Sequence, residues 1–149
     1  MSKISAAITA VGGYVPDYVL TNQILETMVD TNDEWITSRT GIKERRILKG
    51  VNKGTSFLAI QAAKNLIQKN NLDPTTIDLV VVATATPDMK AASTAAYTAF
   101  EIGATNAFSF DLDAACSSFL FGMSVASRYI ESGMYKKVLL IGADKNSSM

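Results

Sequence analysis

Residues 79–85 read Leu-Val-Val-Val-Ala-Thr-Ala, a nearly unbroken apolar run bounded by Asp78 and Pro87. A strand that alternates apolar and polar residues can leave one face in water, whereas a continuous apolar strand has to be covered on both faces. Residues 138–142, Val-Leu-Leu-Ile-Gly, repeat the pattern. Segments with apolar residues at helical spacing separate and precede these runs, so helices are available to cover both faces. Strand and helix alternate, with three strand-led units after Asp78. The pattern predicts a layered α/β fold with a largely parallel sheet.

The rest of the chain is read the same way. Residues 4–11 are small, apolar and partly β-branched, which predicts a strand; Gly12–Gly13 and Pro16–Asp17 then turn the chain. Thr21 or Asn22 caps a short helix to about residue 29, and Asp33 caps another that runs through Trp35 and Ile36 toward Gly41. Residues 43–53 are polar and basic and read as a loop. Thr55 or Ser56 opens an amphipathic helix with Leu58, Ala59, Ala62, Ala63, Leu66 and Ile67 on one face, and Asn70–Asn71 ends it. Residues 93–102 form a helix ending near Gly103, and 108–112 a short strand. Residues 114–116 form a strand-to-helix junction. Residues 117–131 form a helix with Phe119, Gly122, Met123, Ala126 and Ile130 on one face, ended by Gly133. No repeat, low-complexity tract or linker marks a boundary, which implies one domain. Residues 144–149 follow a buried strand with nothing to cover it, so they are either a ragged terminus or a cut through a larger fold.

Composition removes several function classes. Lys plus Arg and Asp plus Glu are both 14, so the net charge is zero and nucleic-acid binding by counterion release is not expected. One Cys and no His exclude an internal disulfide, a Cys/His zinc site and any His base supplied by these residues. No apolar run approaches the ~20 residues that span a bilayer. Lys3 and the apolar residues after it faintly imitate an export signal, but Ser5, Thr9 and Gly12–Gly13 interrupt them. A cytoplasmic protein with no membrane association is the expectation.

Four groups can carry chemistry. Asp111 and Asp113 point to the same side of an extended segment; they can share a proton or a cation, or cap a helix and bind backbone amides. Lys43, Arg45, Arg46, Lys49 and Lys53 can hold a phosphate or an acidic partner, or form a solvated loop. Trp35 and Arg39 share a helix face; they can sandwich a flat aromatic ligand, or the Arg can cover a half-buried Trp. Cys116 lies where a strand turns into a helix. Free N–H groups and a partial positive charge there stabilise a thiolate, and small neighbours (Ala114, Ala115, Ser117, Ser118) leave room for a thioester. The alternative is a buried, inert Cys. Nucleotide-binding glycine fingerprints are absent, and Gly12–Gly13 reads as a turn.

Several stretches together resemble one family. They are Gly-Gly-Tyr-Val-Pro (12–16), Met-Val-Asp-Thr-Asn-Asp-Glu-Trp-Ile-Thr-Ser-Arg-Thr-Gly-Ile-Lys-Glu-Arg (28–45), Leu-Val-Val-Val-Ala-Thr-Ala-Thr-Pro-Asp (79–88) and Phe-Asp-Leu-Asp-Ala-Ala-Cys-Ser-Ser-Phe (110–119), with Gly-Ala-Asp-Lys-Asn-Ser-Ser-Met at the end. The chain resembles the N-terminal half of the β-ketoacyl-acyl-carrier-protein synthase III family, condensing enzymes that start type II fatty-acid synthesis. The resemblance implies a thiolase-like α-β-α-β-α fold made of two similar halves, of which residues 1–149 are the first, with a mixed, largely parallel sheet. It puts Cys116 on the nucleophile that takes an acyl group, acetyl in the first instance, from acyl-CoA. It puts Trp35 and Arg39 on the adenine sandwich and Thr31 on a residue hydrogen-bonding near that adenine. The acyl-enzyme then condenses with malonyl-acyl-carrier protein and releases CO2, using a His and an Asn of the second half. No cofactor is implied, since acyl-CoA is a substrate. A homodimer is implied, with the strand at 108–112 pairing across the two-fold axis.

Two departures stand out. Ser118 replaces the family's usual Gly, and Ala91-Ala92-Ser93 replaces an aromatic-Pro-Ser run. A Cβ at Ser118 implies a crowded backbone or a shifted acyl pocket, and the smaller Ala91 and Ala92 imply room for a longer or branched primer. Two alternatives remain at this point: a non-catalytic half that binds CoA or a partner chain, and a condensing enzyme of secondary metabolism.

Overall fold

The computed structural model describes residues 4–148; Lys3 and Met149, which the sequence reading used, lie outside them. The described residues form two compact units, residues 15–53 and residues 4–14 with 54–148.

The 15–53 unit is a small αβ element. Strand β1 (Val19–Thr21) pairs antiparallel with β2 (Glu44–Arg46), Leu20 opposite Arg45. Helices α1 (Asn22–Glu26) and α2 (Asp33–Thr40) lie between them in sequence. Thr21 caps α1, its hydroxyl accepting from Ile24 N–H. The cap of α2 is Asn32 rather than Asp33, with its Oδ1 accepting from Trp35 N–H at 2.8 Å. Gly41 ends α2 at φ +72°, a left-handed position that suits glycine. Asn22 is fully buried and ties the unit together. Its Nδ2 donates to Asp33 Oδ1 (2.7 Å) and Ile42 O (2.8 Å), and its N–H donates to Lys43 O.

The loop expected over 43–53 contains strand β2. Its Glu-Arg-Arg sequence has no apolar alternation because the ladder is held by backbone bonds and by the guanidinium groups. Arg45 Nη1 donates to Leu20 O and Arg46 Nη1 to Pro16 O. Lys49 lies with its Nζ 3.2 Å from the Tyr18 ring centroid. Arg45, Arg46 and Lys49 are therefore engaged in holding this unit.

The larger unit is built on a three-stranded parallel sheet of order β4-β3-β5. Its strands are β3 (Leu79–Ala83), β4 (Phe108–Leu112) and β5 (Val138–Gly142). Every residue of central β3 is buried, as its unbroken apolar sequence demands. Val80, Val82, Leu139 and Ile141 form one core with Ala59, Ile60 and Ala63 of α3 (Thr55–Lys69) and with Ala95, Ala99 and Ile102 of α4 (Thr94–Ile102). Helix α5 (Ser118–Glu131) packs on β5 and β3, where Gly122 leaves space for the Leu140 side chain. At the C-terminal ends of β3 and β5, Asp144 Oδ1 accepts from Thr84 Oγ1 (3.0 Å), Ala85 N–H (2.9 Å), Thr86 N–H (3.1 Å) and Thr86 Oγ1 (2.9 Å).

Residues 4–11 do not form the expected strand. They carry no regular secondary structure, and Ile4, Ile8 and Val11 are exposed. A β-branched composition makes a strand only where a neighbouring strand completes its ladder, and this segment joins neither sheet. Gly12 and Gly13 are not a left-handed turn either, since neither has positive φ. A Cβ on Gly12 would lie 2.7 Å from Leu66 Cα, so Gly12 marks a close approach of the chain to the α3 backbone.

Candidate active site

The junction after β4 is a strained elbow. Strand β4 ends at Leu112, a single 3-10 turn spans Ala115–Ser117, and α5 begins at Ser118. Ala115 sits at φ +48°, one of three described residues other than glycine with positive φ. The next residue is Cys116, whose thiol is free and exposed. It therefore departs from the buried, inert thiol of the alternative reading. Cys116 lies in the 3-10 turn that leads into α5; Ser117 N–H donates to Ala114 O and Ser118 N–H to Ala115 O, and neither Ser117 nor Ala114 supplies a side-chain cap. Exposure and small neighbours are the features a thioester-attacking thiol uses.

The two carboxylates near the elbow have structural roles. Asp111 Oδ2 accepts from Thr94 N–H at 2.7 Å, and Oδ1 accepts from Ala95 N–H at 2.7 Å and from Ser93 Oγ at 3.1 Å. It thus caps α4 from a neighbouring strand, adding to the Ser93 Oγ cap on Ala96 N–H. Asp113 Oδ1 accepts from Ala115 N–H at 3.0 Å and holds the elbow. Among the described residues no cluster of three or more His, Cys, Asp or Glu could hold a metal ion. Asp88 caps α3 in the same remote manner, both carboxylate oxygens lying 3.2 Å from Ser56 N.

Ser118, noted in the sequence only as a departure, is 3% exposed and bonded inside the elbow. Its Oγ accepts from Ala114 N–H at 2.6 Å and donates to Ala115 O at 2.8 Å. Sequence spacing gives no signal for this, because a Ser at a helix start reads equally as an ordinary cap.

In the 15–53 unit, α2 brings Trp35 and Arg39 together, four residues apart. The Arg39 Cζ lies 4.5 Å from the Trp35 ring centroid, and Trp35 is 52% exposed. The guanidinium thus covers one face of a half-exposed indole. A flat ligand entering between them has to displace Arg39, whereas one on the outer face stacks without rearrangement. Thr31 lies just before the Asn32 cap and is half-buried. Asn22, through Asp33, fixes the start of this helix. These three residues belong to the 15–53 unit and Cys116 to the other.

Residues 110–149, which include the elbow, α5 and β5, match the family described as 3-oxoacyl-[acyl-carrier-protein (ACP)] synthase III. A Bacteroides thetaiotaomicron protein named beta-ketoacyl-[acyl-carrier-protein] synthase III 2 is 55% identical over all 149 residues. The chain belongs to the β-ketoacyl-acyl-carrier-protein synthase III family. Its fold is correspondingly thiolase-like. The crystal structure of 3-oxoacyl-[acyl-carrier-protein] synthase III from Aquifex aeolicus is 46% identical and superposes with a TM-score of 0.88. That match covers 93% of this chain and 44% of that one. The priming beta-ketosynthase of the R1128 polyketide pathway is 35% identical with a TM-score of 0.86, over 91% of this chain and 40% of that one. The chain spans 44% of the length of the Bacteroides synthase III. Among the described residues no helix is long and apolar enough to cross a membrane.

Proposed function

We propose that the protein containing these residues primes fatty-acid synthesis in the cytoplasm as a β-ketoacyl-acyl-carrier-protein synthase III. The observation that carries the reading is the free, exposed Cys116 at a strained elbow within the family-matching stretch. The Cys116 thiolate attacks the thioester carbonyl of acyl-CoA, acetyl-CoA in the first instance. The tetrahedral oxyanion is stabilised by backbone N–H groups, that of Cys116 among them. Collapse expels the CoA thiolate and leaves an S-acyl cysteine. The adenine of CoA stacks on Trp35 and Arg39, and Thr31 hydrogen-bonds beside it. This transfer balances without metal or cofactor.

The second half-reaction joins the acyl group to malonyl-acyl-carrier protein with loss of CO2. It needs donors for the carbanion, and residues 1–149 contain no His. Condensation therefore belongs to the whole protein. Assembly as a homodimer is part of the same reading: β4 is an edge strand, and its Phe108 is 68% exposed. The loop carrying Ala91 and Ala92 in place of an aromatic leaves room for a longer or branched primer.

A priming role in polyketide synthesis is the second reading, favoured by the likeness to the R1128 ketosynthase. The test is a condensation assay of the full-length protein with malonyl-acyl-carrier protein and a series of acyl-CoA primers. Ketoacyl-carrier product from acetyl-CoA, lost in Cys116→Ala, is expected. Turnover confined to longer primers favours the polyketide reading, and unchanged turnover in Cys116→Ala overturns both.

A further inference from the structure

The elbow before Cys116 poses a physical problem. Ala115 holds φ +48°, a conformation that alanine disfavours and glycine accepts. Something nearby has to hold it. The Ser118 hydroxyl is well placed to do so, because it bonds on both sides of the strained residue, to Ala114 N–H at 2.6 Å and Ala115 O at 2.8 Å. At 3% exposure, water offers little competition for those bonds. Asp113 adds a third bond, to Ala115 N–H, but from an exposed side chain.

We propose that Ser118 is a positioning residue for Cys116: its hydroxyl bridges Ala114 and Ala115, locks Ala115 in the left-handed conformation, and so sets the direction in which the Cys116 side chain leaves the backbone. The inference rests on the reading of Cys116 as the acyl-accepting nucleophile. Without the hydroxyl the two bonds are lost, Ala115 relaxes toward negative φ, and the thiol samples directions unsuited to attack. Binding of acyl-CoA, which does not depend on the elbow in this reading, is left intact.

The test uses the full-length protein and two readouts, single-turnover acylation by acetyl-CoA and iodoacetamide alkylation of Cys116 followed by peptide mapping. Ser118→Ala is expected to slow acylation about tenfold, the size associated with a lost buried hydrogen-bonding side chain, with KM for acetyl-CoA within about twofold. Adding Ala115→Gly to Ser118→Ala is expected to restore most of the rate, since glycine takes positive φ unaided. A role in stability alone predicts no such rescue. Ser118→Gly, which loses the same two bonds, serves if Ser118→Ala melts early. Acylation and alkylation by Ser118→Ala within about twofold of wild type, or no recovery in the double variant, would overturn the proposal. If wild type itself transfers no acetyl group to Cys116, the functional reading fails, and the alkylation rates still decide the role of Ser118.

Discussion

Replacing Asp111 by Asn or Ala tests whether a carboxylate on a strand, rather than local sequence, holds the start of α4. In wild type the two oxygens of Asp111 receive Thr94 N–H, Ala95 N–H and Ser93 Oγ. Thr94 and Ala95 are 3% and 0% exposed, so water cannot readily replace the lost acceptor. Each buried amide left without a partner costs about 1–3 kcal/mol. Two such amides put Asp111→Ala at about 4 kcal/mol. Asp111→Asn keeps one acceptor oxygen but turns an NH2 toward the other amide and loses the charge favoured at a helix N-terminus, for about 2 kcal/mol. Asp113 is the internal control. It receives one amide, Ala115 N–H, and is exposed, so Asp113→Asn should cost less than about 1 kcal/mol. Thermal melting followed by circular dichroism, with urea titration where the transition is two-state, measures the ranking. Equal losses at 111 and 113, or Asp111→Asn within about 0.5 kcal/mol of wild type, would refute the capping argument.

Three further outcomes follow from the structure. Under the proposed function, Trp35→Ala removes the surface on which the adenine of CoA stacks and weakens CoA binding roughly tenfold, as one lost aromatic stack does; isothermal titration checks it, and unchanged affinity removes Trp35 from the proposed site. Gly12→Ala should destabilise by about 1–3 kcal/mol because its Cβ meets the α3 backbone at Leu66, whereas Gly13→Ala, with nothing within 4 Å, should be near neutral in the same melt. Bonds from Lys137 N–H and Lys136 N–H hold the Asp78 carboxyl below its ordinary 3.8. The unfolded chain therefore takes up the proton first, and the stabilisation is full above about pH 4 and lost as pH falls through the native value. Asp78→Asn should flatten the acid limb of a plot of melting temperature against pH, and an unchanged limb would contradict the linkage.

The elements with continuous apolar runs or clean helical spacing were legible in the sequence. Strand β3 announces its burial, and β4, β5 and α3–α5 follow from the periodicity around it. Most of the features that escaped depend on partners far along the chain. Residues 4–11 have strand composition but no ladder to join, and Glu44–Arg46 has none of that composition yet pairs with Val19–Thr21. Gly12 looks like a turn residue because nothing local announces the approach of Leu66. Cys116 could be located from its strand-to-helix position, yet the clamp around it could not. A serine two residues after Cys116 has no spacing that distinguishes a buried bridge from a surface cap.

One side of α5 also remains open. Phe119, Leu120 and Phe121 are exposed on a helix that is apolar on most of its surface, which is the character of a helix covered on both sides. Residues 1–149 expressed alone should self-associate in light-scattering measurements; a clean monomer would show that this surface tolerates water.

The acyl-enzyme is the species on which the functional reading turns. Brief incubation of the full-length protein with labelled acetyl-CoA, without malonyl-acyl-carrier protein, followed by acid quench and peptide mass mapping, looks for it directly. One acetyl group on the peptide carrying Cys116, with stoichiometric release of free CoA, is the expected result. Label absent, or carried on another residue while Cys116 stays free, would contradict it.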